Sequence, residues 1–471
     1  MFHKIRRIHF VGIGGTGMCG IAEVLANLGF EISGSDLADG DSIRRLRRMG
    51  CRVAIGHAAE NLGSAQVVVV SSAVRNTNPE VVAARSAGVP VIPRAEMLAE
   101  LMRMKFGIAV AGAHGKTTTT WLVSLVLDKG GLDPTIVVGG RLRAFGSNAR
   151  LGQGRYLVAE ADESDGSFLR LNPTIAIVTN LDREHLDYYG TYDNVRRTFI
   201  EFANKVPFYG AAIVCIDDPR VRDILPELER RVITYGFDDD AQIRAVGKRR
   251  AGVRTEFTVV QGGSEIGVVS LAVPGEHNVR NSLAAIGAGL DLGIPFENIR
   301  VALEEFSGIA RRLEVRSDAD DVLVIDDYAH HPTEISATLS AVTDWLPDRR
   351  RVVVFQPHRY SRTESLAAEF GPALARADRL VVTDIYAAGE DPIPGVSSAT
   401  IVESARRAGC AAVTAVESWE DAVDALLPEI RPQDVVMTLG AGDVWKAGDL
   451  LAARLAASPA SRSWKGSAST R

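Results

Sequence analysis

The sequence predicts an α/β protein of three domains. The first is Rossmann-like, the second is a P-loop-type domain whose mostly parallel sheet carries a β-hairpin addition, and the third is again Rossmann-like. Three observations lead there. Apolar strand-like runs alternate with helix-like segments along nearly all of the 471 residues, the pattern of parallel sheets flanked by helices. Two of those runs, one ending near Val11 and one at Ala111, enter glycine turns that open helices. At roughly 150 residues per domain, the length suggests about three domains.

Strands are expected, in order, at Ile8–Ile13, Val67–Val70, Ile108–Ala111, Ile175–Val178, Val322–Ile325, Val352–Phe355, Leu380–Thr383 and Val435–Leu439. One segment breaks the alternation. Arg254–Val260 and Glu265–Val273, joined through Gln261-Gly262-Gly263-Ser264, read as a hairpin on a glycine turn. Boundaries fall near Arg103–Lys105 and Ala310–Leu313, giving domains 1–104, 105–312 and 313–455. The Ser/Ala/Arg-rich tail 456–471 is expected to fray.

Composition excludes several classes. With 46% hydrophobic and 24% charged residues, each domain can bury an ordinary core. The net charge of −6 speaks against nucleic acid, and the densest basic patch, Arg44-Arg45-Leu46-Arg47-Arg48, reads as a solvated helix face. Cys19, Cys51, Cys215 and Cys410 lack paired spacing, which fits reduced thiols and offers no metal motif. The start of the chain lacks a signal-peptide core, and no apolar run approaches the ~18 residues of a membrane span. A cytoplasmic protein with no membrane or nucleic-acid partner, monomeric or weakly dimeric, is the expectation.

The most specific motif is Gly112-Ala113-His114-Gly115-Lys116-Thr117-Thr118, placed between a strand and a helix. Backbone N–H groups of such a turn point inward, and the helix N-terminus favours an anion. Lys116 then reaches the terminal phosphates and Thr117 ligates Mg²⁺. Val110 stands where the common form has its first glycine, so the loop is short, which argues against a motor or a GTPase. In the first domain, Gly12, Gly14 and Gly17 with Asp36 at a second strand end match a dinucleotide fingerprint. The same geometry serves any diphosphate, and a tight turn without ligand stays open beside both readings. Ser71 and Ser72 follow an apolar strand and either add hydroxyls for a phosphate or cap a helix.

Downstream, a strand delivers Glu160 to its end, followed by Asp162-Glu163-Ser164-Asp165, and the next strand leads to His185. A carboxylate and an imidazole at neighbouring strand ends suit a divalent cation beside a triphosphate, although acidic loops are ordinarily just solvated. His277 and Asn278 open a helix where they could read a base edge, or Asn278 simply caps it. Arg311 and Arg312, at the second boundary, are placed to reach a γ-phosphate.

Together, Gly112-x-His114-Gly115-Lys116-Thr117, Glu160 with its acidic run, His185, His277-Asn278-x-x-Asn281, Arg311-Arg312 and Asp327-Tyr328-Ala329-His330 resemble the Mur ligases. These are the ATP-dependent amide-bond ligases of bacterial cell-wall synthesis, and the resemblance runs from about His9 to about Trp445. Gly12-x-Gly14-Gly15-Thr16-Gly17-Met18, Asp327–Glu334, Phe355–Thr363 and Ala387–Gly395 resemble the branch that adds alanine.

The resemblance implies ATP, Mg²⁺ (two ions, with Mn²⁺ able to substitute), UDP-N-acetylmuramate and L-alanine as ligands. It implies that Gly14, Gly15, Thr16, Gly17, Met18, Asp36, Ser71 and Ser72 hold the UDP-sugar. ATP would meet Gly112, His114, Gly115, Lys116, Thr117, Thr118, Asn281, Arg312 and Asp327, and metal would meet Thr117, Glu160 and His185. Tyr328, His330, His358, Arg359 and Arg362 would surround alanine, with Lys116, His185, Arg312 and His330 in catalytic roles. Several sister ligases carry a carbamylated lysine at the position where Phe199 stands, so the resemblance implies that metal here does without a carbamate. Three domains contributing to one cleft would close after substrates bind.

Overall fold

A computed structural model describes residues 4–71, 73–138, 149–319 and 321–457. Every apolar run named above forms a strand, and the strands gather into three sheets with helices between them.

The first sheet contains β1 (Arg7–Val11), β2 (Glu31–Asp36), β3 (Arg52–Ile55), β4 (Val67–Val70) and β5 (Val91–Pro93), all parallel in the order β3-β2-β1-β4-β5. This is the Rossmann arrangement, with its switch point between β1 and β4, where such sheets bind ligands. Alternate residues face opposite sides. Ile8 and Phe10 join the helix Thr16–Asn27, while Val11 and Val68 pack with Ala84 of the helix Pro79–Ser86. In the helix Asp41–Arg48, Ile43 and Leu46 are buried and the arginines surround them. The basic run is therefore the outer face of an amphipathic helix, with Arg44 paired to Asp41 and Arg45 to Glu23.

The second sheet has ten strands: β6 (Phe106–Ala111), β7 (Thr135–Val137), β8 (Ala149–Arg150), β9 (Tyr156–Glu160), β10 (Ile175–Val178), β11 (Ala211–Cys215), β12 (Val232–Gly236), β13 (Ile243–Ala251), β14 (Arg254–Gln261) and β15 (Ser264–Leu271). Their order is β15-β14-β13-β12-β11-β10-β6-β9-β7-β8. From β13 across to β7 neighbours run parallel, so β6 sits between β10 and β9 with all three carboxyl ends together. The predicted hairpin is part of a larger addition, since β13 precedes it as a third antiparallel strand. Gly262 (φ 55°) and Gly263 (φ 83°) form its turn; a two-residue turn with positive φ at both positions matches strand twist and favours glycine.

The third sheet contains β16 (Glu314–Ala319), β17 (Val322–Asp327), β18 (Arg350–Phe355), β19 (Arg379–Val382), β20 (Val413–Ala415) and β21 (Asp434–Leu439), in the order β16-β17-β21-β18-β19-β20. Only β16 runs antiparallel. Leu323, Ile325, Val353, Phe355 and Met437 point into one apolar layer, while Val322, Val324, Val352, Val354 and Val436 point into the other. Strands buried on both faces read as continuous apolar runs, which is why the sequence betrayed them.

The chain divides into two compact units. One is Met1–Ala272 with His277–Ser307, holding the first two sheets, and the other is Val273–Glu276 with Gly308–Arg471, holding the third. A single core runs from Ile8 and Phe10 of the first sheet to Val178 and Val214 of the second. All four cysteines are buried, and among the described residues none is in a disulfide. Among the described residues no helix is long and apolar enough to cross a membrane.

Candidate functional site

In the first sheet, β1 runs into a loop whose backbone turns at Gly12 (φ 78°), and Gly15 caps the helix Thr16–Asn27. The Gly14 amide donates to Asp36 Oδ2 at 2.8 Å and the Leu37 amide to Oδ1 at 2.8 Å, so the acid at the end of β2 braces the glycine loop. A Cβ on Gly14 would lie 2.9 Å from that carboxylate and one on Gly17 2.7 Å from the Arg94 guanidinium, so a side chain at either position would have to push its neighbour aside. Gly12, Gly14, Gly15, Asp36, His57, Ser71 and Asn78 line a cleft of about 720 Å³ beside this loop, large enough for a nucleotide. Met18 is buried beneath it. Ser72 and the Thr16 side chain lie outside the described residues.

The central loop is built between two strand ends. Gly112 (φ 134°) and Gly115 (φ 82°) hold left-handed backbone, and Gly115 caps the helix Lys116–Lys129, which leaves its first amides open. From the end of β10, Asn180 Oδ1 accepts the His114 amide at 2.8 Å while Asn180 Nδ2 and Thr179 Oγ1 donate to the His114 carbonyl. From the end of β9, Glu160 receives the Thr117 hydroxyl at 3.1 Å on both oxygens. Asn281 stands over Gly115, where a Cβ would meet its Oδ1 at 2.7 Å, and Thr118 is buried at the start of the helix.

Lys116 folds back over the loop. Its Nζ donates to the Gly112 carbonyl at 2.7 Å and to Glu163 Oε1 at 2.7 Å. Burial works against its charge, but the carboxylates of Glu163 and Glu160 outweigh that and hold its pKa above the ordinary lysine value. These partners occupy the cation where a phosphate would. The other Glu163 oxygen, Oε2, is buried without a hydrogen-bond partner, an orphan that suits a cation. Glu163, Glu184 and His185 bring ligand atoms within 4.8 Å of one another, a donor set rich in carboxylate oxygen. His185 holds a left-handed backbone (φ 56°), uncommon without glycine and typical of a position the surroundings over-determine. Phe199, where a carbamate would be rooted, is buried against Phe168.

In the third sheet, β17 ends at Asp327, whose two oxygens accept the Leu313 and Ala329 amides at 2.7 and 2.8 Å. Its burial outweighs Arg312 and those amides and pushes the pKa up to about 6. Arg311 (φ 61°) and Leu313 (φ 46°) are both left-handed. Arg311 is pinned by Asp326 and by the Gly440 and Gly442 carbonyls, while Arg312, over the Tyr328 ring, makes a looser 3.4 Å contact with Glu334.

His330 packs edge-on against Tyr328 and His358, and His358 stacks on Tyr386. Burial, with His330, Arg362 and Arg359 nearby, lowers the His358 pKa to about 3, so this imidazole is neutral. Arg362 Nη1 lies 3.3 Å from His358 Nδ1. Arg359, left-handed at φ 71° and largely solvent-facing, reaches Glu390 at 3.7 Å.

The structure thus gathers the predicted residues into three clusters: one at the first glycine loop, one at the lysine loop with Asn281, and one at the ends of β17 and β18. Sequence reasoning missed Tyr386 as a member, and it met Asn180, Glu184 and Glu334 only inside the segments that carry its motifs. It read Glu163 and Glu390 only as parts of motifs.

A lysine-bearing phosphate loop, acids at the adjoining strand ends and a second glycine cup define a nucleotide-dependent α/β protein. Three family models match the chain: "Mur ligase family, catalytic domain" over residues 7–106, "Mur ligase middle domain" over 110–289 and "Mur ligase, glutamate ligase domain" over 311–442. The chain belongs to the Mur ligase family. It is 53% identical to the UDP-N-acetylmuramate–L-alanine ligase of Trichlorobacter lovleyi, covering 97% of this chain and 100% of that one. Identity to the protein of the same name from Geobacter sulfurreducens is 52%, over 97% and 99%. Among solved structures, the UDP-N-acetylmuramate-alanine ligase of Thermotoga maritima superposes with a TM-score of 0.82 at 29% identity, covering 96% of this chain and 99% of that one.

Proposed function

We propose that this chain is an ATP-dependent ligase of peptidoglycan precursor synthesis, joining L-alanine to the lactoyl carboxylate of UDP-N-acetylmuramate in the cytoplasm. The observation that carries the reading is the presence of two glycine-built cups of different chemistry. One has a lysine and a threonine–carboxylate pair and suits a triphosphate to be cleaved. The other has no lysine among its described lining residues and suits a diphosphate that is only held. The full-length likeness to relatives bearing the alanine ligase name supports the same conclusion. We take the three sheets as working domains 1–104, 105–312 and 313–455.

A carboxylate does not react with an amine at neutral pH, because the group it must expel is poor. Transfer of the γ-phosphoryl group to it gives an acyl phosphate with a good leaving group, which the amine then displaces through a tetrahedral intermediate. Lys116 leaves Glu163 and the Gly112 carbonyl to meet the β,γ-phosphates, while the amides opening its helix hold the anion in place. Mg²⁺, for which Mn²⁺ is expected to substitute, would be held by Thr117 and Glu160, and by His185 with Glu163 and Glu184, to neutralise the transferring charge.

Arg359 and Arg362 clamp the alanine carboxylate, for which a guanidinium fork is the matching shape. We assign His330 and neutral His358 to the amine, Tyr328 to the same cluster, and Asp327 with Arg312 to the nucleotide. The test is phosphate release from ATP in the presence of UDP-N-acetylmuramate, with amino acids supplied one at a time. Alanine should stimulate release strongly; a rate indifferent to alanine, glycine and serine would overturn the assignment.

A further inference from the structure

Beneath the first-domain cleft lies a buried polar chain that ligation leaves unused. Glu80, fully buried at the start of the helix Pro79–Ser86, accepts from His9 Nε2 at 3.0 Å, Ser35 Oγ at 2.6 Å, Asn61 Nδ2 at 2.6 Å and the Ala58 amide at 3.1 Å. Burial opposes its charge, but these four donors outweigh it and hold the pKa down at about 2. Ser35 Oγ also meets His57 Nδ1 at 2.9 Å.

An ionised carboxylate only accepts hydrogen bonds, so the single Ser35 proton is committed to Glu80. The Ser35 oxygen must then accept, and His57 Nδ1 must carry the hydrogen. In a neutral imidazole the other nitrogen, Nε2, is left as an acceptor. His57 lines the cleft, and among the described residues its contacts fall on Nδ1, with Ser35 Oγ at 2.9 Å and Glu80 Oε1 at 3.7 Å.

Sheet order says what lies there. The glycine loop follows β1, Asp36 ends β2, and His57 comes two residues after β3, with β1, β2 and β3 side by side. With neighbouring strands about 4.8 Å apart, a nucleotide whose phosphates sit on the glycine loop crosses the β2 end with its ribose and brings its base to β3. We propose that His57 reads that base, its Nε2 accepting from the imide N–H of a uracil ring, with Glu80 acting through Ser35 as the positioning residue that fixes the tautomer. This rests on the cleft being the uridine-nucleotide site. Cytosine, which has no hydrogen at that ring nitrogen, would present lone pair to lone pair.

Calorimetric titration of the full chain with UDP, N3-methyl-UDP and CDP tests it. The wild type should prefer UDP by about 10- to 100-fold, the usual consequence of leaving a buried acceptor unpaired, and His57→Phe should bind all three within about threefold of one another. Long-range proton–nitrogen NMR of histidine-labelled wild type should show the His57 hydrogen on Nδ1, and Glu80→Gln should mix the tautomers. UDP binding with no discrimination against N3-methyl-UDP overturns the proposal, as does hydrogen on His57 Nε2 in the wild type. Discrimination surviving in His57→Phe removes His57 from the role. Should UDP itself fail to bind, the cleft assignment falls first and the proposal falls with it.

Discussion

Lys116 and Arg359 carry the same charge in opposite surroundings, and their expected roles follow from that. Lys116 is buried and held charged by two carboxylates, the state expected of a counterion for phosphate. Lys116→Ala should cut turnover at least about 100-fold, the cost of deleting one preorganised charge-stabilising donor, as measured by steady-state phosphate release. UDP affinity of that variant should stay within about twofold, because distant sites add independently. Arg359 is solvent-facing with a loose 3.7 Å contact to Glu390, and Arg362 leans on a neutral imidazole, so either guanidinium can turn to an incoming carboxylate. Arg359→Ala and Arg362→Ala should each raise the alanine KM about 10- to 100-fold, the worth of a charge-assisted hydrogen bond. An unchanged KM in both would remove them from the clamp. Glu80 gives a pH prediction. Its folded pKa of about 2 lies below the unfolded value near 4.5, so its stabilisation is present above pH 4.5 and is lost as pH falls toward 2. Glu80→Gln should therefore destabilise the chain by about 3 kcal/mol at pH 7 and progressively less below pH 4.5, as read from urea midpoints across pH.

At the level of elements, what was legible depended on how continuously a segment is buried. β4 and β10 are unbroken apolar runs, and the sequence yields them at their observed limits. β13 was hidden because its second half, Gly247-Lys248-Arg249-Arg250-Ala251, lies in solvent and only Ile243 and Ala245 are buried. A half-exposed strand with a bulge between Val246 and Arg249 carries no clean alternation. The phosphate loop was legible because its glycines answer to hard sterics. A Cβ on Gly112 would lie 2.0 Å from Thr179 Oγ1 and 3.1 Å from the Asn180 backbone, whereas at Gly115 the obstacle is the tip of Asn281. Side-chain tips move more readily than backbone, so Gly112→Ala should raise the ATP KM more than Gly115→Ala, in kinetics at saturating UDP-N-acetylmuramate. The reverse ranking would mean that the Asn281 contact, and not the strand-end approach, shapes the loop.

Across the whole molecule, single motifs were readable but their cross-links were not. The Lys116–Glu163 pair spans 47 residues and the His9–Glu80 pair 71, distances over which spacing says nothing and only the register of parallel strands decides who meets whom. The same topology gives the chain two glycine cups, one after β1 and one after β6, each at a helix N-terminus. Their chemistries differ: the β6 cup has a lysine and a hydroxyl–carboxylate pair, while the β1 cup is braced by Asp36 and has no lysine among the residues that line it. Two cups of unlike make-up should therefore bind unlike ligands without competing. Calorimetry with UDP and an uncleavable ATP analogue should find one site for each, and saturating either should shift the affinity for the other by no more than about threefold, since coupling between separate sites rarely vanishes altogether. Lys116→Ala should abolish only the analogue isotherm, and Gly14→Val, which drives a side chain into Asp36, only the UDP isotherm. Mutual displacement of the two ligands would mean that one cup takes both, and the division of labour between fuel and carrier would then fail.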